Sequence, residues 1–299
     1  MTKKTRSWFI VCVNSILTVF LILLTNLLSA QAPDAGTHWR QALLAARQHD
    51  FVQAVAELDA AKGMGLTDSL VFYHRGRWNF QAGRIDESMQ DFDRYVELAP
   101  ARANSQWERG ITCYYAGKYR EGAKQFVDYQ NFHDNDVENA VWRYLCQIQF
   151  DGLEKARQAI LPIKNDRRVP MMEIYRLFRG ESTPDKVLQV LADSRSTGEL
   201  ARHEAFDAHL YLALFFDAQK DWPSATRHVD LAVKQFDKGD YMWSVAVQHQ
   251  RHLRKQQQKT NKAPAGVESS AKSPDAGKDA QDGTNSKPEP EQSPETPRP

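Results

Sequence analysis

The chain has 299 residues, with 39 Lys plus Arg against 38 Asp plus Glu, for a formal net charge of +1. That balance, with no long basic block in the body, excludes a nucleic-acid partner, because neutralising phosphates takes a concentrated basic face. Three cysteines are too few for a disulfide scaffold, and one of them, Cys12, lies in an apolar leader.

In chain order, residues 1–30 hold Lys3, Lys4 and Arg6, no acidic residue, and then an uncharged run rich in Ile, Leu, Val and Phe. A basic start followed by an apolar run reads as an export signal, so the chain that follows is expected outside the cytoplasm, periplasmic or attached to the envelope. Leu28-Ser29-Ala30 offers a cleavage site, while residues 8–28 are long enough to stay as an uncleaved anchor. Both outcomes are open from sequence. Membrane contact is expected only through this segment, and its removal takes the net charge to −2. No lipidation Cys follows the run, since position 31 is Gln.

Residues 31–254 carry a period of 34. Gly76, Gly83, Phe92 and Tyr95 recur as Gly110, Gly117, Phe126 and Tyr129. Helical runs separate the glycines, and Gly83 and Gly117 stand where a left-handed residue must end one helix before the next starts. Gly76 and Gly110 fall within helices, where glycine costs about 1 kcal/mol against alanine, so close approach of a partner helix must compensate. Phe92 and Phe126 fill the seam to the following pair, and Pro100 stops its helix. The frame gives units at about 35–68, 69–102, 103–136, 137–169 and 206–239. Ala42, Ala54 and Leu58 mark the first. Tyr144 and Ala156 mark a degenerate fourth, and Leu212, Ala213, Phe216, Ala225 and Ala232 mark the last.

Between the last two units, Met171 to Arg179 and Asp185 to Ala192 read as short helices, the first ended by Gly180 and the second capped by Thr183. Residues 241–254 read as a polar-faced helix capping the stack. Residues 255–299, with seven of the 13 prolines and Val267 as the single bulky apolar residue, read as a disordered tail. Strand signals are absent, so the expectation is an all-α helix-turn-helix solenoid of twelve or thirteen helices.

Gly, Gly, Phe and Pro at fixed offsets resemble tetratricopeptide repeats, which implies a right-handed superhelix. More narrowly, the chain resembles the NlpI-type outer-membrane lipoproteins of bacteria. The likeness lies in Glu108-Arg109-Gly110-Ile111 with Tyr114-Tyr115-Ala116-Gly117, Val141-Trp142-Arg143-Tyr144-Leu145, Glu173-Ile174-Tyr175 to Arg179-Gly180, and His209-Leu210-Tyr211-Leu212-Ala213. Order and spacing agree from about Phe72 to Leu253. The resemblance implies a dimeric envelope adaptor that docks peptidoglycan hydrolases and a tail-specific protease. The missing lipidation Cys departs from that family and puts a lipid anchor in doubt.

In such superhelices the first helix of each pair lines a concave face, and positions −3, +1, +4 and +5 from the helix-crossing glycine point into it. These are Tyr73, Arg77, Phe80 and Gln81 in the second unit and Trp107, Ile111, Tyr114 and Tyr115 in the third, with Trp39, Leu43 and Arg47 from the first. Large aromatics beside an Arg are what protein-docking surfaces use. The alternative is that they only complete inter-helix packing. Cys113 and Cys146 read as buried free thiols. His249-x-x-His252 reads as a solvated pair with no third ligand, so neither metal nor cofactor is expected. No nucleophile elbow or phosphate loop is present, and the chain reads as a non-enzymatic protein-binding scaffold. An inert spacer and an unrecognised hydrolase are the alternatives.

Overall fold

Short polar side chains open several helices and left-handed glycines close others. In the computed structural model, which describes residues 33–235 and 240–262, α1 (Ala35–Arg47) starts where the Asp34 carboxylate accepts from the Thr37 N–H at 2.7 Å. Asp50 does the same at the head of α2 (Phe51–Gly63), and Asp68 at that of α3 (Ser69–Ala82). Gly83, at φ +86°, ends α3, and α4 (Ile85–Leu98) stops before Pro100, which opens a 3₁₀ turn over Pro100–Ser105. α5 (Trp107–Tyr115) and α6 (Tyr119–Gln130) meet at Gly117, φ +73°. Then come α7 (Val137–Asp151), α8 (Leu153–Gln158), α9 (Met171–Arg179), α10 (Pro184–Ala192), α11 (Gly198–Ala218), α12 (Trp222–Gln235) and α13 (Tyr241–Lys262). The described residues contain thirteen α-helices and no strand, and successive helices pack on one another. The leader read at residues 1–30 and the tail from residue 263 lie outside the described residues.

The glycines of the 34-residue frame occupy equivalent places. A Cβ on Gly76 would lie 3.2 Å from the Phe92 ring, and one on Gly110 would lie 2.6 Å from the Phe126 ring. Each glycine therefore admits the aromatic ring of its partner helix 16 residues later. A second series sits one residue earlier. Arg75 reaches Asp91, Arg109 reaches Gln125 and Arg143 reaches the Ala159 carbonyl, each 16 residues on. Arg75 and Arg109 also reach 16 residues back, to Asp59 and Asp93. One guanidinium thus joins its own second helix to the preceding one, using the fork geometry that Arg supplies.

Two clusters of buried apolar side chains can be traced among the described residues. Ala42, Ala54, Val55, Leu58 and Trp78 serve the first pair, and a larger continuous cluster runs from Phe80 to Leu253. Gly122 on α6, outside the 34-residue frame, is a close-approach point of the larger cluster. A Cβ there would meet Cys146 Sγ at 2.8 Å and Cys113 Cβ at 3.1 Å. Gly122→Ala is therefore expected to lower the urea midpoint, although the same change in an open helix would raise stability by about 1 kcal/mol.

Candidate functional site

The face that the sequence frame makes the inner one, carried by α3 and α5, is covered by α13, the last of the described helices. The Tyr241 ring stacks on Phe80 at 5.1 Å and meets Trp107 edge-on at 5.3 Å, and the Arg77 guanidinium lies 4.6 Å from the Tyr241 centroid. Further along, Gln81 Nε2 reaches Ser244 Oγ at 3.4 Å, and Gln248 Nε2 donates to the Phe80 carbonyl at 3.1 Å. The same helix is held on its other side by α12, through Trp243 Nε1 to the Val233 carbonyl and Gln250 Nε2 to Asp230.

Residues 241–254, read from sequence as a polar-faced helix capping the stack, form most of this helix. α13 runs to Lys262, and Val245, Ala246, His249 and Leu253 are buried. Its apolar stripe needs cover, and the inner face supplies it. Phe80, Ile111 and Tyr114, expected to line an open groove, are buried core residues. Trp107 and Tyr115 are half-buried and pack on the same cluster. Tyr73 and Arg77 turn to the next pair, where both bind the Glu108 carboxylate, Tyr73 at 3.0 Å. Glu108 is itself buried, so this contact holds α3 to α5. Gln81 is spent on Ser244. From the first pair, Trp39 is half-buried edge-on to His74 at 5.5 Å, Leu43 is half-buried and Arg47 is exposed.

At the centre of the covered face lies a cluster that the sequence reading took as a solvated His pair. His249 is 0 % exposed and His252 a quarter exposed. Their Nε2 atoms stand 3.9 and 3.5 Å from Asp217 Oδ2 on α11. Burial pushes the His249 imidazole down to about 4, against a smaller opposing pull from Asp217. Burial works against the Asp217 charge, yet hydrogen bonds from His252 and Trp222 and the neighbouring imidazoles hold its pKa below the usual carboxylate value. Among the described residues, no group of three or more His, Cys, Asp or Glu side chains is disposed to hold a metal ion.

A second constellation comes from the 159–170 loop, at the end of the degenerate fourth unit. Arg168 bridges Asp136 at 2.8 Å, Asp166 at 2.6 Å and Glu138, whose other oxygen accepts from Tyr211 on α11 at 2.7 Å. Burial first, then the charges of Asp136, raise the Glu138 carboxyl, and burial with the Glu138 charge raises Asp207 further. A cleft of about 610 Å³ opens beside them, with Leu200, Phe206 and Met242 on its walls. Leu200 is 60 % exposed, and Phe132, on the neighbouring cleft lined by Tyr129 and Arg167, is 65 % exposed. The groove residues were picked by their offset from the helix-crossing glycine, and the fourth unit has Tyr144 in that place, so the offset gave no signal here.

Cys113 and Cys146 are free and buried. Burial pushes the Cys113 thiol up to about 12, which makes it a poor nucleophile. Among the described residues no helix is long and apolar enough to cross a membrane. No protein-family model matches the chain.

Proposed function

We propose that the protein is a non-enzymatic adaptor of the bacterial cell envelope. Its helix pairs would be tetratricopeptide repeats winding into a right-handed superhelix, and its inner face would dock helices of partner proteins. Peptidoglycan hydrolases or an envelope protease are the partners that the resemblance suggests. The single observation that carries this reading is the way the inner face holds α13, through a stacked aromatic pair, an Arg over a ring and amide contacts. Those are the side chains that dominate protein interfaces, and the helix they hold is amphipathic. A partner helix of the same kind would take the place of the α13 front edge, while α13 stays hinged on α12.

The test joins cysteines placed at Gln81 and Ser244 with a short cleavable crosslinker. Cys113 and Cys146 will not compete for the reagent, being buried. Proximity labelling in the native envelope should recover hydrolases or a protease with the open form. Capture should be lost on crosslinking and return on cleavage. Equal capture by the locked form would remove the inner face from docking and move attention to the cleft flanked by Phe132 and Leu200.

A further inference from the structure

The position of His249 is the least explained feature of the covered face. Its imidazole is wholly buried where α13 crosses α5 and α11, with the Ala213 carbonyl of α11 beside it. The Tyr115 ring from α5 lies 6.4 Å away, and the His252 ring is stacked on it with centroids 5.8 Å apart. Tyr114, also from α5, faces His252 at 6.4 Å, and Tyr119 from α6 is close enough to feel Asp217. Burial pushes Tyr114 and Tyr115 well above the usual tyrosine range, so neither supplies a negative charge. Asp217 is therefore the one carboxylate facing two imidazoles among the described residues. His252 Nε2 is the closer of the two to Asp217 Oδ2 and is partly open to solvent.

A proton added to His249 Nε2 would put a charge into a site closed to water, beside one carboxylate that it shares with a neighbouring imidazole, which is costly to keep. The contacts that tie α13 to α3 include, by contrast, a ring stack, one cation over a ring, two amide hydrogen bonds and Arg251 beside Gly83. The geometry points to His249 as an acid latch on α13: when its imidazole takes up a proton, the helix leaves the inner face and opens it to a partner. The latch rests on the docking reading above, since it regulates access to that same face.

The sign follows from burial. Released, the imidazole has an ordinary affinity near pH 6.5, and docked it is held to about 4, so between those values the released form binds the extra proton. Lowering pH from 7 to 5 should raise the released-to-docked ratio about twentyfold from this group alone. His209 and His228, whose imidazoles meet at 3.0 Å between α11 and α12, titrate in the same direction but bear on a different seam.

Hydrogen–deuterium exchange of the full chain at pH 7 and pH 5, corrected for intrinsic rates, reads this directly. Protection in 241–253 should fall about twentyfold while α6 and α7 keep theirs. In His249→Leu, or His249→Gln if the leucine variant fails to fold, the α13 response should flatten, leaving any change in α12 untouched. Three outcomes overturn the latch: no change in α13 protection at pH 5, loss in step with α7, or an undiminished response in the His249 variants. None of these touches the crosslinking test of docking, so the two readings fail separately.

Discussion

Replacing Asp91 by alanine is expected to lower the unfolding free energy by about 3–5 kcal/mol, the range for removing one partner of a buried ion pair. Asp91 is 2 % exposed and takes two nitrogens of Arg75 and the Asn79 amide, the last at 2.9 Å. Without its carboxylate, a guanidinium and an amide stay buried without their acceptor. Asp59 remains on Arg75 at 2.6 Å but is over half exposed, so solvent screens most of what it offers. An exposed bridge made by the equivalent arginine of the next repeat, the counterpart of Arg75 to Asp59, supplies the control. Arg109 pairs with Asp93, which is 35 % exposed, and Asp93→Ala should therefore lose less than about 1 kcal/mol. Urea denaturation with a constant m-value would separate the two, and equal losses would mean that burial does not set the strength of these bridges.

Gly110→Ala is the second large effect expected. The new methyl would fall 2.6 Å from Phe126 Cζ and 2.9 Å from its Cε atoms, and that ring is buried. Overpacking of this kind costs about 1–3 kcal/mol, more than the roughly 1 kcal/mol that alanine returns in helix propensity. At Gly76 the same methyl stands 3.2 Å from Phe92, and a shift of a few tenths of an ångström relieves it. Gly76→Ala should thus be near neutral. Phe126→Leu should recover part of the Gly110→Ala loss in a double-mutant cycle, and additive effects would show that the ring is not the obstacle.

The parts of the fold that could be read from sequence are those whose cause is local. Gly83, Gly117 and Gly180 end helices because only a residue at ease with positive φ fits there, and Thr183 with Pro184 starts α10 by capping chemistry. The pairing of Gly76 with Phe92 and Gly110 with Phe126 showed as a period, since equivalent helices face equivalent neighbours. Arg75, Arg109 and Arg143 carry the same period and could have been read with it. What α13 does was beyond reach. Its apolar stripe is visible, but the carbonyl that Gln248 meets lies 168 residues earlier, and nothing in a local pattern says which of two surfaces a stripe will choose. Tyr114 and Phe80 were misplaced for that reason: both sit where an open solenoid would show them, and here a helix lies over them.

That long reach gives the order of synthesis a physical meaning. The segment that covers Phe80 and Trp107 leaves the ribosome after the helices it covers, so every nascent chain passes through a stage with a bare aromatic strip. A message cut short before Tyr241 would yield a polypeptide fixed at that stage. Such a fragment should be sticky and rapidly degraded, even though it would contain every helix pair from Ala35 to Gln235.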